Sequence, residues 1–166
     1  VSFCSYCRLS PLADLVYLSF LDGQIHVYNL NNGKLLLRFA AFPASDTDLI
    51  RLVDADLGLN VLFAATRSEV KVWRHLTTEL LHRIQLSWPL VQEVDVIYNR
   101  DLLVVAAPRS IKLVELSSGK LLSEWSEAAT NVRSVRAQND SLCVEIQRDS
   151  DAQRLTLLRL PIDAAQ

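Results

Sequence analysis

DGQIHVYNLNNGKLLLRF, residues 22–39, reads as a turn, a strand, a second turn and a second strand. Asp22-Gly23 supplies the first turn, because glycine tolerates positive φ and aspartate hydrogen-bonds its own backbone. Ile25, Val27 and Tyr28 then provide the β-branched and aromatic side chains that suit a pleated surface. Asn31-Asn32-Gly33 is another hairpin signal, and Lys34 to Phe39 forms the return strand. Immediately upstream, Leu15 to Leu21 (LVYLSFL) is an apolar run too short for a stable helix. It is predicted to be a strand paired across Asp22-Gly23.

The unit recurs. Asn60 to Leu86 (NVLFAATRSEVKVWRHLTTELLHRIQL) and Asp101 to Trp125 (DLLVVAAPRSIKLVELSSGKLLSEW) repeat its order of signals, and Ser141 to Pro161 is a more eroded copy. The first apolar residues after the central turns are Ile25, Val70, Ile111 and Leu155, separated by 45, 41 and 44 positions. A period of roughly 40–45 residues is that of one four-stranded propeller blade. Each copy also has a strand-like run ahead of it: Phe3 to Leu9, Leu49 to Ala55, Val91 to Tyr98 and Asn131 to Gln138. Each unit is therefore expected to be a four-stranded meander, with strands a to d.

In these features the chain resembles the WD-repeat β-propeller family. Val72-Trp73 stands in the place of that family's closing dipeptide, with Tyr28 and Val114 as its equivalents in the neighbouring copies. The GKLL runs, Gly33 to Leu36 and Gly119 to Leu122, look equally like the quinoprotein type of propeller repeat. The resemblance implies an all-β fold: a β-propeller portion of about four blades, at roughly 1–42, 43–88, 89–127 and 128–162. Pro161 leaves too few residues after it for a strand d, so the last blade is expected to be incomplete. Open first and last blades would expose apolar faces, which calls for further blades or a partner chain to complete the array.

Composition agrees with an ordered core: half the residues are hydrophobic and 22% are charged. A formal net charge of −2 gives no global argument for nucleic acid or an anionic membrane. No apolar run approaches the roughly 18 residues of a membrane span, and no signal peptide is evident. The chain starts with Val and contains no Met, which suggests a domain of a longer polypeptide. Three cysteines without a disulfide framework suit a reducing compartment, so an intracellular site, cytoplasmic or nuclear, is expected.

No set of reactive residues converges in the sequence. Cys4 and Cys7 have C-x-x-C spacing, but on a regular strand residues three apart point to opposite faces, so buried structural cysteines are expected. His26, His75 and His82 are scattered over two blades, and the four glycines form no phosphate-binding loop. Trp73, Trp88 and Trp125 fall late in or after strands c and d, where large rings fill the space between blades. No catalytic residue, metal or cofactor is assigned.

Two surfaces are left as protein-binding candidates. Arg67, Arg109 and Arg148 occupy the turn between strands b and c in successive copies. On one propeller rim they would suit an acidic or phosphorylated peptide, because the guanidinium binds carboxylate and phosphate bidentately; solvated turn arginines paired with nearby acids are the alternative. Phe42 lies in the longest polar connection, Ala40 to Asp48, and Trp88 in the loop Ser87 to Gln92. Each is either an exposed anchor or a ring tucked beneath its own loop. The functional expectation is a non-catalytic interaction scaffold within a multiprotein complex, binding protein subunits or peptide motifs. The alternatives are a quinoprotein-type enzyme and a nucleic-acid binder using Arg133, Arg136, Arg148, Arg154 and Arg159. The first is disfavoured by the apolar inner strands, and the second by the acids interleaved among those arginines.

Overall fold

A computed structural model describes residues 3–10, 13–44, 48–86, 93–97, 100–107, 109–126, 130–138, 141–148 and 151–161. All regular structure among them is β, and no helix is long and apolar enough to cross a membrane. The chain divides into two compact units, Val1–Leu86 and Ser87–Gln166. Each contains two antiparallel meander sheets in which strands pair in chain order.

In the first unit, one sheet is β1 (Cys4–Ser10), β2 (Leu15–Phe20), β3 (Gln24–Asn29) and β4 (Leu35–Ala40). The other is β5 (Leu52–Asp56), β6 (Val61–Ala65), β7 (Glu69–Arg74) and β8 (Leu80–Gln85). The second unit holds β9 (Glu93–Ile97), β10 (Leu102–Ala107), β11 (Ser110–Glu115) and β12 (Leu121–Ser126) in one sheet. Its last sheet has three described strands, β13 (Thr130–Gln138), β14 (Ser141–Arg148) and β15 (Asp151–Pro161). The expected all-β fold of repeated antiparallel blades is what the chain adopts, with three strands in the last among the described residues.

The repeat extends to single hydrogen bonds. The carbonyls of Asp14, Asn60 and Asp101 accept the N–H of Leu30, His75 and Leu116 at 2.7, 2.9 and 2.8 Å. Each acceptor residue sits just ahead of strand b with φ of 52–56°, and Asp and Asn are the non-glycine residues that enter the left-handed region most readily. The pairing of strands c and d shifts register at Val27/Tyr28, Val72/Trp73 and Leu113/Val114, the positions matched to the closing dipeptide. The extra residues, Leu36, Leu81 and Leu122, are on strand d, and a bulge there bends that strand and increases its local twist.

Each unit has its own core. In the first, Tyr17, Ile25 and Val27 pack with Val53, Ala55, Leu62, Ala64 and Trp73. Trp73 is met edge-on by Phe39 at 5.2 Å and Phe42 at 6.2 Å between ring centroids. In the second, Leu102, Val104, Ile111 and Leu113 join Val132, Val135, Val144 and Ile146, with Trp125 packed alongside. The packing role expected for Trp73 and Trp125 is thus observed; Trp88 lies outside the described residues.

Gly23 fixes the way the chain leaves the first sheet. Its φ is +78°, and a Cβ there would come within 2.1 Å of the Phe42 carbonyl oxygen. That space lets the Gly23 carbonyl accept the N–H groups of Ala41 and Phe42 at 2.9 and 3.1 Å. The linker is therefore clamped to the Asp22-Gly23 turn, and Phe42 is carried inward with it.

Candidate functional site

The first sheet is covered on one face only. β2 alternates buried and half-buried residues, whereas every residue of β6 and β10 is buried. Because residues opposite one another in a ladder share a face, the register gives the open face row by row. Cys7, Leu18, His26 and Arg38 form one row, and Leu9, Val16, Tyr28 and Leu35 the next. Leu9 is 57% exposed and Leu35 42%, with Val16, Leu18 and Phe20 half-buried between them. This is a mainly apolar face with an aromatic centre.

That centre is ordered by polar contacts. The His26 ring lies 4.3 Å from Phe20 and 6.0 Å from Tyr28, centroid to centroid. Its Nε2 donates to Gln24 Oε1 and its Nδ1 accepts from the Tyr28 hydroxyl, both at 3.3 Å. Arg38 Nε donates to the same Gln24 oxygen at 2.7 Å. Burial, then the Arg38 charge, pushes the His26 pKa below its ordinary value, against the smaller opposing effect of Asp22. The imidazole is therefore a neutral part of the face at physiological pH.

Polar clamps join the two sheets of this unit on the opposite, covered side. Arg8 on β1 pairs with Asp54 on β5 at 2.7 Å, and the Asp54 side chain is only 5% exposed. The Tyr17 hydroxyl and His75 Nε2 lie 2.9 Å apart. Burial, with a contribution from Asp54, raises the Tyr17 pKa, and burial lowers that of His75. Lys71 is buried, donates to the Ala41 carbonyl at 2.8 Å, pairs with Glu69 at 3.3 Å and lies 4.3 Å from the centre of the Phe42 ring. Asp54 and Lys71 belong to no sequence motif. Their sign in the sequence is a charged residue set between apolar neighbours, Val53 and Ala55 around Asp54 and Val70 and Val72 around Lys71.

The residues singled out in the sequence are distributed as follows. Arg67 is exposed on the β6–β7 turn, where Asp48 accepts its backbone N–H at 2.7 Å and also accepts from the Ser68 hydroxyl. Asp48 therefore holds the b–c turn of the second sheet through its carboxylate. Arg109 is exposed on the β10–β11 turn of the second unit. Arg148 ends β14, and its side chain, like those of Arg133, Arg136, Arg154 and Arg159, lies outside the described residues. Phe42 is 6% exposed, so of its two readings the tucked ring is the one observed; Gly23 draws its backbone in and Trp73 and Lys71 cover its ring. Trp88 and its loop are not among the described residues.

The cysteines require a correction. Cys4 and Cys7 are exposed, not buried, and they do not point to opposite faces. β1 carries a bulge between Cys4 and Tyr6, so that Cys4 pairs with Phe20 and Cys7 with Leu18. Phe20 and Leu18 are two apart on a regular strand and share the open face; both cysteines therefore share it too. Ser5, the extra residue, bonds instead to the fully buried Ser19 at 2.9 Å.

No protein-family model matches this chain, and no curated protein matches it. Its fold is similar to that of solved structures. The computationally designed Ika4 protein superposes with a TM-score of 0.70 at 16% identity, over 96% of this chain and 92% of its own. The computationally designed Ika8 protein gives 0.68 at 16% identity, over 95% of this chain but 46% of its own. The chain thus spans about half the length of the second protein, and at this identity the likeness is one of fold alone.

Proposed function

We propose that this chain is a non-catalytic interaction module of the repeat-propeller kind, working within a protein assembly, and that the open face of its first sheet is where another β-sheet docks. The observation that carries this reading is the contrast between strands at the same repeat position. β6 and β10 are buried on both faces, while β2 leaves Val16, Leu18 and Phe20 flanked by exposed Leu9 and Leu35. Contiguous apolar surface of this kind marks a protein contact more often than it marks free surface. The partner is a protein sheet, supplied by a second copy of this chain, by further residues of a longer polypeptide, or by another subunit. A face built of side chains from four strands suits sheet-on-sheet packing better than capture of one extended peptide.

Association through this face makes thermal stability depend on concentration, since anything bound only to the folded state stabilises it by mass action. The unfolding midpoint of the isolated chain should rise with protein concentration, and Leu18→Lys with Phe20→Lys should abolish that dependence. A midpoint independent of concentration in both proteins, with both equally folded, would set aside self-association and leave an unrelated subunit as the partner to seek.

A further inference from the structure

We propose that Cys4 and Cys7 form a two-thiolate site for a soft monovalent cation, copper(I) being the biological example. Two independent features of β1 bring the thiols together. The bulge places Cys4 opposite Phe20 and Cys7 opposite Leu18, so both side chains rise from one face. In addition, Cys4 Sγ donates to the carbonyl oxygen of Tyr6 at 3.2 Å, which lays the sulfur against the peptide that leads into Cys7. Both residues are exposed, so a ligand reaches them without any opening of the fold.

The geometry selects the chemistry. Residues opposite strand positions two apart are about 6.7 Å apart along the strand, at the outer limit of the Cα separations that a disulfide tolerates. A metal between the sulfurs adds about 2.3 Å of reach on each side, which makes a bridged pair the easier fit. Zinc in a structural site takes four nitrogen or sulfur ligands, and no cluster of three or more His, Cys, Asp or Glu occurs among the described residues. Two thiolates without further donors suit a soft ion of low coordination number, and thiolate is the ligand class that selects copper(I). Binding converts two thiols and one copper(I) ion to a bis-thiolate complex of net charge −1, with two protons released to solvent. This inference does not depend on the docking role of the same face.

The test is a competition, under anaerobic reducing conditions, between the intact chain and a coloured copper(I) chelator. Wild type should withdraw one equivalent of copper(I) and bleach the chelator band. Cys4→Ser and Cys7→Ser should each weaken binding by about 100-fold or more, since loss of outer-shell partners alone costs about 10–100-fold. Cys143→Ser should bind as wild type does. The double change Cys4→Ser, Ser5→Cys keeps the number of thiols but moves one onto the bulge residue that faces Ser19, and it should bind as weakly as Cys4→Ser. Circular dichroism melts confirm that each variant is folded. Wild type that cannot compete, single variants that keep their stoichiometric copper, or a rearranged variant that binds like wild type would each overturn the proposal.

Discussion

The hydroxyl of Tyr17 and Nε2 of His75 lie 2.9 Å apart, joining strand b of the first sheet to the residue that follows strand c of the second. Tyr17 is fully buried and its pKa is raised, so the phenol stays protonated and donates to a neutral imidazole. Protonation of His75 would turn the acceptor into a donor and break the bond.

That relationship sets a pH dependence. Burial holds the His75 pKa below its value of about 6.5 in the unfolded chain, and His26 is shifted the same way. Below that value the unfolded state binds more protons than the folded one. The stability contributed by the neutral imidazoles is thus complete above about pH 6.5 and is lost as pH falls from there through their folded values. Denaturant midpoints measured from pH 7.5 to 5.0 should fall, and His75→Gln should flatten the slope. Tyr17→Phe, which strands a half-buried acceptor, should cost about 1–2 kcal/mol at pH 7.5.

At Gly23 the chain needs both positive φ and an empty Cβ position against the Phe42 carbonyl. Gly23→Ala should cost more than about 2 kcal/mol, because the left-handed penalty adds to a clash with backbone that cannot rotate away. Chemical denaturation measures this directly. Gly33 has the same sign of φ but open space around it, so Gly33→Ala should cost only the conformational part, about 1 kcal/mol.

The turn between strands c and d uses Gly33 in the first copy and Gly119 in the third, both at positive φ. The second copy has Thr78 at that position and places Leu76 at φ +54° instead. Leu76 is 41% exposed, so little packing is lost when it is shortened. Leu76→Gly should stabilise the protein by about 1 kcal/mol, read as a higher midpoint in denaturant.

The rim arginines are separate from the open face in their placement on turns. Charge reversal of Arg67 and Arg109 together should therefore leave self-association through the first sheet unchanged. A fall in association on reversal would assign the contact to the turns.

Much of the fold was legible because its signals are local. Asp22-Gly23, Asn31-Asn32-Gly33 and the alternating apolar runs each fix a turn or strand without reference to distant residues, and their recurrence gives the blade count. The candidate site was less legible, because it depends on pairing across strands. The bulge after Cys4 has no local marker, and without it the C-x-x-C spacing reads as two thiols facing apart. Phe42 sits in a polar connection, and only the approach of that connection to Gly23 turns its ring inward. Lys71 is buried because the Ala41 carbonyl and the Phe42 ring receive it, and both lie 29 or more positions earlier in the chain.

The central claim is that the uncovered face of the first sheet is a protein contact, and light scattering across a range of concentrations tests most directly whether a second copy of this chain makes it. The wild-type chain should show a mass that rises above 18.7 kDa with concentration, and the Leu18→Lys, Phe20→Lys protein should hold at that value throughout. A wild-type chain that stays monomeric at every concentration while folded, or a lysine variant that associates as strongly as wild type, would contradict the assignment of this face as the surface through which the chain associates.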